Sequence, residues 1–403
     1  MWRYFKNCRS IVMKDKAFET QAIRTQTERS SFLEHSTPMY LTSSFVFEDA
    51  EDMRASFAEE KDRNIYSRYS NPTTSEFIEK VCLMEGAEAG FAFASGMAAV
   101  YTTFAALLQS GDHILSSASV FGSTHSLYVN FFPKWGITTS LFDVHASKAE
   151  IVAKIQPNTK VIYAESPTNP GVDLIDLSLL GEIAQEHGLI LIIDNCFASP
   201  YLQKPLAHGA HLVIHSATKL MDGQGRVLGG ITVGRADLMD QVYRFARITG
   251  PAMSPFNAWV LSKSLETLAV RVDRHCSNAL ALATYLESHP QVAQVKYPFL
   301  PSHPRYDIAQ KQMKAGGAVV AFELKGGLEA GRQFFDAIEL LSLSANLGDT
   351  RSIVTHPAST THSKLTPQER AASGIGEGMI RVSVGLEHID DIQSDIAQAL
   401  DKI

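Results

Sequence analysis

The chain of 403 residues is poor in cysteine: Cys8, Cys82, Cys196 and Cys276 lie far apart and form no C-x-x-C pair. That scarcity argues against a disulfide framework and a thiolate zinc site, and no metal is expected. It points to reduced thiols and a cytoplasmic protein. No apolar run approaches the roughly 20 residues that cross a bilayer. The net charge of −7 supplies no basic excess, so neither nucleic acid nor a membrane surface is an expected partner. The opening "MWRYFKNCRSIVMKDKAF" lacks the continuous apolar core of a signal peptide, and Met13 reads as an alternative start after a loose extension of residues 1–12. Internal repeats and low-complexity tracts are missing too. No G-x-G-x-x-G follows the first predicted strand, which argues against a dinucleotide-dependent dehydrogenase.

What is present is an ordinary globular composition, 45% hydrophobic and 20% charged, in a chain too long for one small core. Residues 1–60 read as an N-terminal arm with a short helix around 48–60. From residue 75 the pattern becomes regular. "EFIEKVCLMEGA" has helical apolar spacing and ends in Gly86, and "GFAFA" (90–94) and "HILSS" (113–117) read as strands. "KVIYAES" (160–166) and "LILIIDN" (189–195) are continuous apolar runs, the mark of strands buried on both faces. Alternation of such strands with helices predicts an α/β fold, a mostly parallel sheet wrapped by helices. The large domain is expected over 61–256. A smaller α/β domain follows over 257–403, opening on one long helix or two joined ones at 257–289.

Ser95, Glu165, Asn169, Asp194 and Lys219 all fall just after predicted strands, where the loops of such a sheet gather into one cleft. Asp194 follows five apolar residues, and a carboxylate buried at a strand end needs a cationic partner. Read in isolation, it is also an ordinary helix cap. Ser95-Gly96-Met97 opens a helix, where backbone N–H groups suit a phosphate. Ser216 and Thr218 add hydroxyl donors beside Lys219, and Tyr66 and Arg68 in "YSRYSNPT" offer a phenol and a guanidinium to the same anion. A lysine amine, a strand-end aspartate upstream and phosphate donors at two places together define a pyridoxal phosphate site. No single element is specific; the ordered set is.

With "YSRYSNPT", "ASGMAA", "ESPTNP", "DNCFASP", "HSATK", "THPASTTH" and "IRVSVGLE" in hand, the chain from about residue 17 onward resembles the Cys/Met-metabolism family of pyridoxal phosphate enzymes. The resemblance implies the aspartate-aminotransferase-like fold (fold type I). It implies Lys219 as the Schiff-base lysine and Asp194 as the partner of the ring nitrogen. Ser95, Gly96, Met97, Ser216 and Thr218 would hold the phosphate, Asn169 would sit beside the phenolic oxygen, and Arg381 would clamp the substrate carboxylate. Tyr66 and Arg68 would reach the phosphate from a neighbouring subunit, in a homotetramer built as a dimer of dimers. Phe121 stands where many members have a tyrosine; it keeps the stacking face and loses the hydroxyl.

Within the family, "SANLGDTRS" resembles the sulfhydrylase branch, and "HSATKLMDGQGRVLGG" resembles the O-succinylhomoserine sulfhydrylase group. Asn346 takes the place of a substrate-carboxylate serine, Ala345 stands where some cystathionine enzymes carry a glutamate, and Ser123 where methionine γ-lyases carry a cysteine. The implied reaction is γ-replacement on an O-acylhomoserine, O-succinyl-L-homoserine foremost. Lys219 removes the Cα proton, succinate leaves Cγ and sulfide adds there to give homocysteine in methionine biosynthesis. Cystathionine γ-synthesis, O-acetylhomoserine sulfhydrylation and γ-lyase chemistry stay open as alternatives. Arg226 and Arg351 are candidates for the succinyl carboxylate, with solvated surface arginines the plainer reading.

Overall fold

The continuous apolar runs become the middle of a seven-stranded sheet in the computed structural model, which describes residues 13–364, 366–372 and 374–403. The 1–12 extension and Cys8 lie outside the described residues. The strands are β1 Ala89–Phe93, β2 His113–Ser117, β3 Thr138–Phe142, β4 Thr159–Glu165, β5 Ile190–Asp194, β6 Leu212–His215 and β7 Gly230–Gly234. Their spatial order is β1-β7-β6-β5-β4-β2-β3. Every neighbouring pair from β6 to β3 is parallel, and β7 runs antiparallel to both β6 and β1. The sheet is therefore mostly parallel, as the alternation predicts, with one reversed strand that glycine-bounded "GITVG" does not announce.

Alternating residues of one strand serve different cores. Leu191 and Ile193 of β5 join a cluster with Leu180 and Ile183 of helix Leu177–His187. Ile192 joins the opposite face with Phe104 and Val100 of helix Gly96–Leu107. Burial of each such side chain stabilises by roughly 1.5–3 kcal/mol. Helix ends follow local chemistry: Asn71 caps helix Pro72–Glu85 and the left-handed Gly86 closes it, while Asp176 caps and Gly188 closes helix Leu177–His187. The polar arm carries the expected short helix as Ala50–Phe57, capped by Asp49. It also carries an unannounced helix, Phe18–Arg24, seated by Phe18 against the Tyr201 ring at 5.0 Å.

The 257–289 segment forms two helices, Pro255–Leu265 and Leu268–Glu287. The first packs on helix Pro72–Glu85 through Ala258, Leu261 and Leu265, within the core of the large sheet. The changeover falls inside the second: Ala269 and Val272 belong to that core, Leu282 and Leu286 to the next. The second core lies under a five-stranded sheet of β8 Val292–Lys296, β9 Val319–Leu324, β10 Ser342–Leu343, β11 Ile353–Thr355 and β12 Met379–Ser383, in the order β10-β11-β12-β9-β8. Helices Gly327–Ala337 and Ile389–Leu400 cover it. No described helix is long and apolar enough to cross a membrane.

Candidate active site

The carboxyl ends of β4, β5 and β6, the start of helix Gly96–Leu107 and β12 of the smaller sheet converge on Lys219. At the helix start, Ser95 Oγ accepts from the Ala98 N–H at 3.1 Å. A Cβ on Gly96 would stand 2.7 Å from the Ser216 Cβ, and one on Gly230 would stand 2.1 Å from the Ser95 carbonyl oxygen. Only glycine allows these backbones to meet. This close approach sets the Ser95–Met97 N–H groups beside Ser216. Met97 is held from the side, its Sδ 3.9 Å from the Thr124 hydroxyl. The Thr218 hydroxyl accepts from the Gly229 N–H at 3.1 Å and lies 3.2 Å from its carbonyl, so it pins the loop as it faces the same corner.

Asp194 ends β5. Its Oδ1 accepts from the Cys196 N–H at 3.0 Å and its Oδ2 from the Tyr163 hydroxyl at 3.3 Å. Burial raises its carboxyl above the ordinary range; the Cys196 N–H, His215 and the Tyr163 hydroxyl oppose the rise. Glu165, at the end of β4, is fully buried, and burial and Asp194 together raise it further still. It accepts from the Phe121 N–H at 2.8 Å and the Asn169 N–H at 3.0 Å. Glu165 thereby holds the backbone of both residues, and Phe121 stays 44% exposed, with ring area left for stacking.

Across the cleft, Arg381 of β12 is 4% exposed. Its Nη1 donates to Asn169 Oδ1 at 3.0 Å, and its Nη2 donates to the Asn346 carbonyl at 2.9 Å and the Thr355 hydroxyl at 3.1 Å. Its Nε is buried without a partner among the described residues, an N–H left for an incoming anion. Burial brings the guanidinium down to about 10, still cationic at neutral pH. Lys219 Nζ donates to Asn346 Oδ1 at 2.5 Å. Burial, with the Arg381 charge, lowers its amine below the ordinary lysine range.

Eleven of the thirteen sequence-predicted residues therefore form one constellation. Tyr66 and Arg68 stand apart from it within the chain: the Arg68 guanidinium donates to the Arg247 carbonyl and lies 4.8 Å from the Tyr69 ring and 5.3 Å from the Tyr66 ring. Arg226 and Arg351 already hold carboxylates, those of Asp222 at 2.9 Å and Asp349 at 3.0 Å. Glu165, Tyr163, Thr355 and Cys196 support the site and were not singled out as site residues; the strand-end position of Glu165 was the available signal. The described thiols of Cys82, Cys196 and Cys276 are free.

This donor set fits pyridoxal phosphate. The glycine-lined corner would receive a phosphate, the buried Asp194 carboxyl would pair with a ring cation, Phe121 would offer a ring face, and Lys219 is an amine whose charge burial disfavours.

Comparison with known proteins agrees. The model of the family described as Cys/Met metabolism PLP-dependent enzyme matches residues 19–401. An O-succinylhomoserine sulfhydrylase of Pseudomonas aeruginosa is 47% identical over 388 residues, 96% of each chain. An L-methionine gamma-lyase of Porphyromonas gingivalis is 41% identical, over 96% of this chain and 97% of its own. The crystal structure of a putative O-acetylhomoserine (thiol)-lyase from Campylobacter jejuni, containing a pyridoxyl-lysine monophosphate, superposes with a TM-score of 0.92 at 33% identity, covering 96% of this chain and all of that one. The fold is the expected type I architecture, the cofactor is pyridoxal phosphate, and the chain belongs to the family of Cys/Met metabolism PLP-dependent enzymes.

Proposed function

We propose that the protein catalyses γ-replacement on an O-acylated homoserine, O-succinyl-L-homoserine foremost, with sulfide as nucleophile, releasing L-homocysteine and succinate. The observation that carries this reading is the Lys219–Asn346–Arg381 bridge. It sets the buried Lys219 amine beside the carboxylate clamp, on a stretch, Ser344-Ala345-Asn346, with no acidic side chain. An acid there would favour a second amino-acid substrate such as cysteine, whose amine needs a counter-charge. The 47% identity to an O-succinylhomoserine sulfhydrylase points the same way.

When bound, pyridoxal phosphate supplies the electron sink that eases loss of protons from Cα and Cβ and of the leaving group from Cγ. Asp194 holds the ring nitrogen protonated. Ser95, Gly96, Met97, Ser216 and Thr218 would hold the phosphate, and Phe121 would stack on the ring. Asn169 would sit beside the phenolic oxygen, its side-chain oxygen already held by Arg381. Arg381 takes the substrate α-carboxylate with its free Nε and fixes the Cα–H toward Lys219. The Lys219 amine then removes the Cα proton and carries protons between carbons, a duty that Phe121 cannot share for want of a hydroxyl. Tyr66 and Arg68 complete the phosphate site of a neighbouring subunit, so the working form is a homo-oligomer, a dimer of dimers.

Steady-state turnover of succinyl, acetyl and phospho esters of homoserine, each offered sulfide (product homocysteine) or cysteine (product cystathionine), tests the assignment. The succinyl ester with sulfide is expected to give the highest kcat/KM. A preference for cysteine would reassign the protein to cystathionine synthesis, and release of methanethiol from methionine at a comparable rate would reassign it to γ-elimination.

A further inference from the structure

Behind the constellation lies a buried acid that the reaction does not use. Glu85 is the last residue of helix Pro72–Glu85 and is 2% exposed. A carboxylate at that place meets the negative end of the helix dipole with no water to solvate it. Its Oε1 accepts from Asn195 Nδ2 at 3.1 Å and lies 2.6 Å from His215 Nε2, while its Oε2 is buried with no partner among the described residues. One amide donor and an orphaned oxygen do not hold a buried charge; a cation does.

Both partners sit at the strand ends that carry the site. Asn195 follows Asp194 directly, and His215 precedes Ser216 and ends β6. Asp194 lies opposite Ile214 in the parallel register, so His215 is one residue beyond, on the other face of the sheet at the same edge. The carboxylate and the imidazole share a strand terminus without touching.

We propose that Glu85 and His215 form a buried ion pair whose imidazolium charge keeps Asp194 ionised under the cofactor ring, making both positioning residues that act through Asp194. The proposal rests on Asp194 being the ring-nitrogen partner. The other titratable groups facing Asp194 are Tyr163, Tyr128, Cys196 and Glu165, with Lys219 across the cleft; Tyr128 is a buried phenol and brings no positive charge. Tyr163 and the Cys196 N–H only donate hydrogen bonds, Glu165 repels, and Lys219 is the amine that must lose its charge to work. His215 is left as the standing positive charge on the protein side, and it does lower the Asp194 carboxyl against burial.

The test uses the holoenzyme of wild type, Glu85→Gln and the double variant Glu85→Gln/His215→Asn, whose neutral pair preserves the packing if the single variant folds poorly. Without the imidazolium, Asp194 takes up a proton at higher pH. The acid limb of the kcat profile and the matching change in the visible cofactor band should both move up by about one pH unit. A purely structural role would lower thermal stability and leave both where they are, and that result overturns the proposal. Neutron diffraction of the loaded wild type at neutral pH reads the pair directly: deuterium on both His215 nitrogens supports it, and a protonated Glu85 with a neutral imidazole overturns it. Asp194→Asn separates the two assignments. If it leaves spectrum and limb unchanged, the role given to Asp194 fails, and the proposal with it, whatever the neutron map shows at His215.

Discussion

Lys219 Nζ lies 2.5 Å from Asn346 Oδ1, and the carbonyl of the same asparagine accepts from Arg381 Nη2 at 2.9 Å. One residue therefore aims the base and braces the carboxylate clamp, and it does so with a neutral acceptor. A carboxylate in its place would favour the ammonium form of Lys219 and undo the lowering that burial produces. Asn346→Asp should move the ascending limb of the kcat–pH profile upward by about 1–2 units. Asn346→Ala should cost about tenfold in kcat, the size of one lost hydrogen bond, with the limb in place. Profiles of the three holoenzymes between pH 6 and 10 decide it.

Removing the amine separates binding from chemistry. Lys219→Ala should fold, keep pyridoxal phosphate less tightly and lose the visible band of the lysine-bound cofactor. Its kcat should fall by at least about 10³, the upper part of the range for loss of a general base. An unchanged spectrum in the variant would remove Lys219 from its role.

Arg381→Lys tests the clamp. Lysine keeps the charge but cannot reach Asn169, Asn346 and Thr355 while presenting a free N–H. The loss of one charge-assisted hydrogen bond, ~1.5–3 kcal/mol, predicts a roughly 10- to 100-fold fall in kcat/KM carried mainly by KM. A fall carried by kcat alone would place Arg381 elsewhere in the reaction.

The parts of the fold legible in the chain are those whose signal is local. β4 and β5 announce themselves because burial on both faces demands unbroken apolar runs, and Asp194 stands out because it breaks one. β7 does not, since two terminal glycines carry no side-chain pattern and its pairing depends on β1, some 140 residues earlier in the chain. Likewise helix Phe18–Arg24 is too short to hold without the Tyr201 ring under it. In the site, Ser95, Asp194 and Lys219 were readable from strand ends. The Arg381–Asn169 contact joins residues 212 apart, and the Glu85–His215 pair joins residues 130 apart. Such polar partners are chosen by topology, so nothing near either residue in sequence names the other.

Stability without cofactor should carry the mark of two buried acids. The carboxyls of Glu165 and Asp194 are both raised by burial, so the folded chain binds protons that the unfolded chain has released. Between the ordinary carboxyl values, 4.5 and 3.8, and the raised ones, stability must fall as pH rises. The Tm of the cofactor-free protein should decline as pH rises above these ordinary carboxyl values. Glu165→Gln should flatten that slope, and pyridoxal phosphate should flatten it further by giving Asp194 a cation. Calorimetry across this range checks the sign, which is opposite to that of a salt-bridged carboxylate.

Tyr66 and Arg68 supply the sharpest test of assembly. Tyr66 is 40% exposed, and the Arg68 guanidinium is spent on the Arg247 carbonyl and two tyrosine rings. Among the described residues of one chain, neither side chain bonds to the Ser95–Met97 corner. If they serve a neighbour's phosphate, damage to Lys219 and damage to Arg68 fall in different half-sites of the same dimer. Lys219→Ala and Arg68→Ala should each be nearly inactive alone. After mixed refolding or co-expression, hybrid dimers carry one site built from two intact halves and should recover a substantial part of the activity. Purification on two different affinity tags isolates the hybrids before assay. A hybrid that forms and stays inactive would mean that each chain closes its own site, and the arm would then have to swing across β1 to reach Ser95.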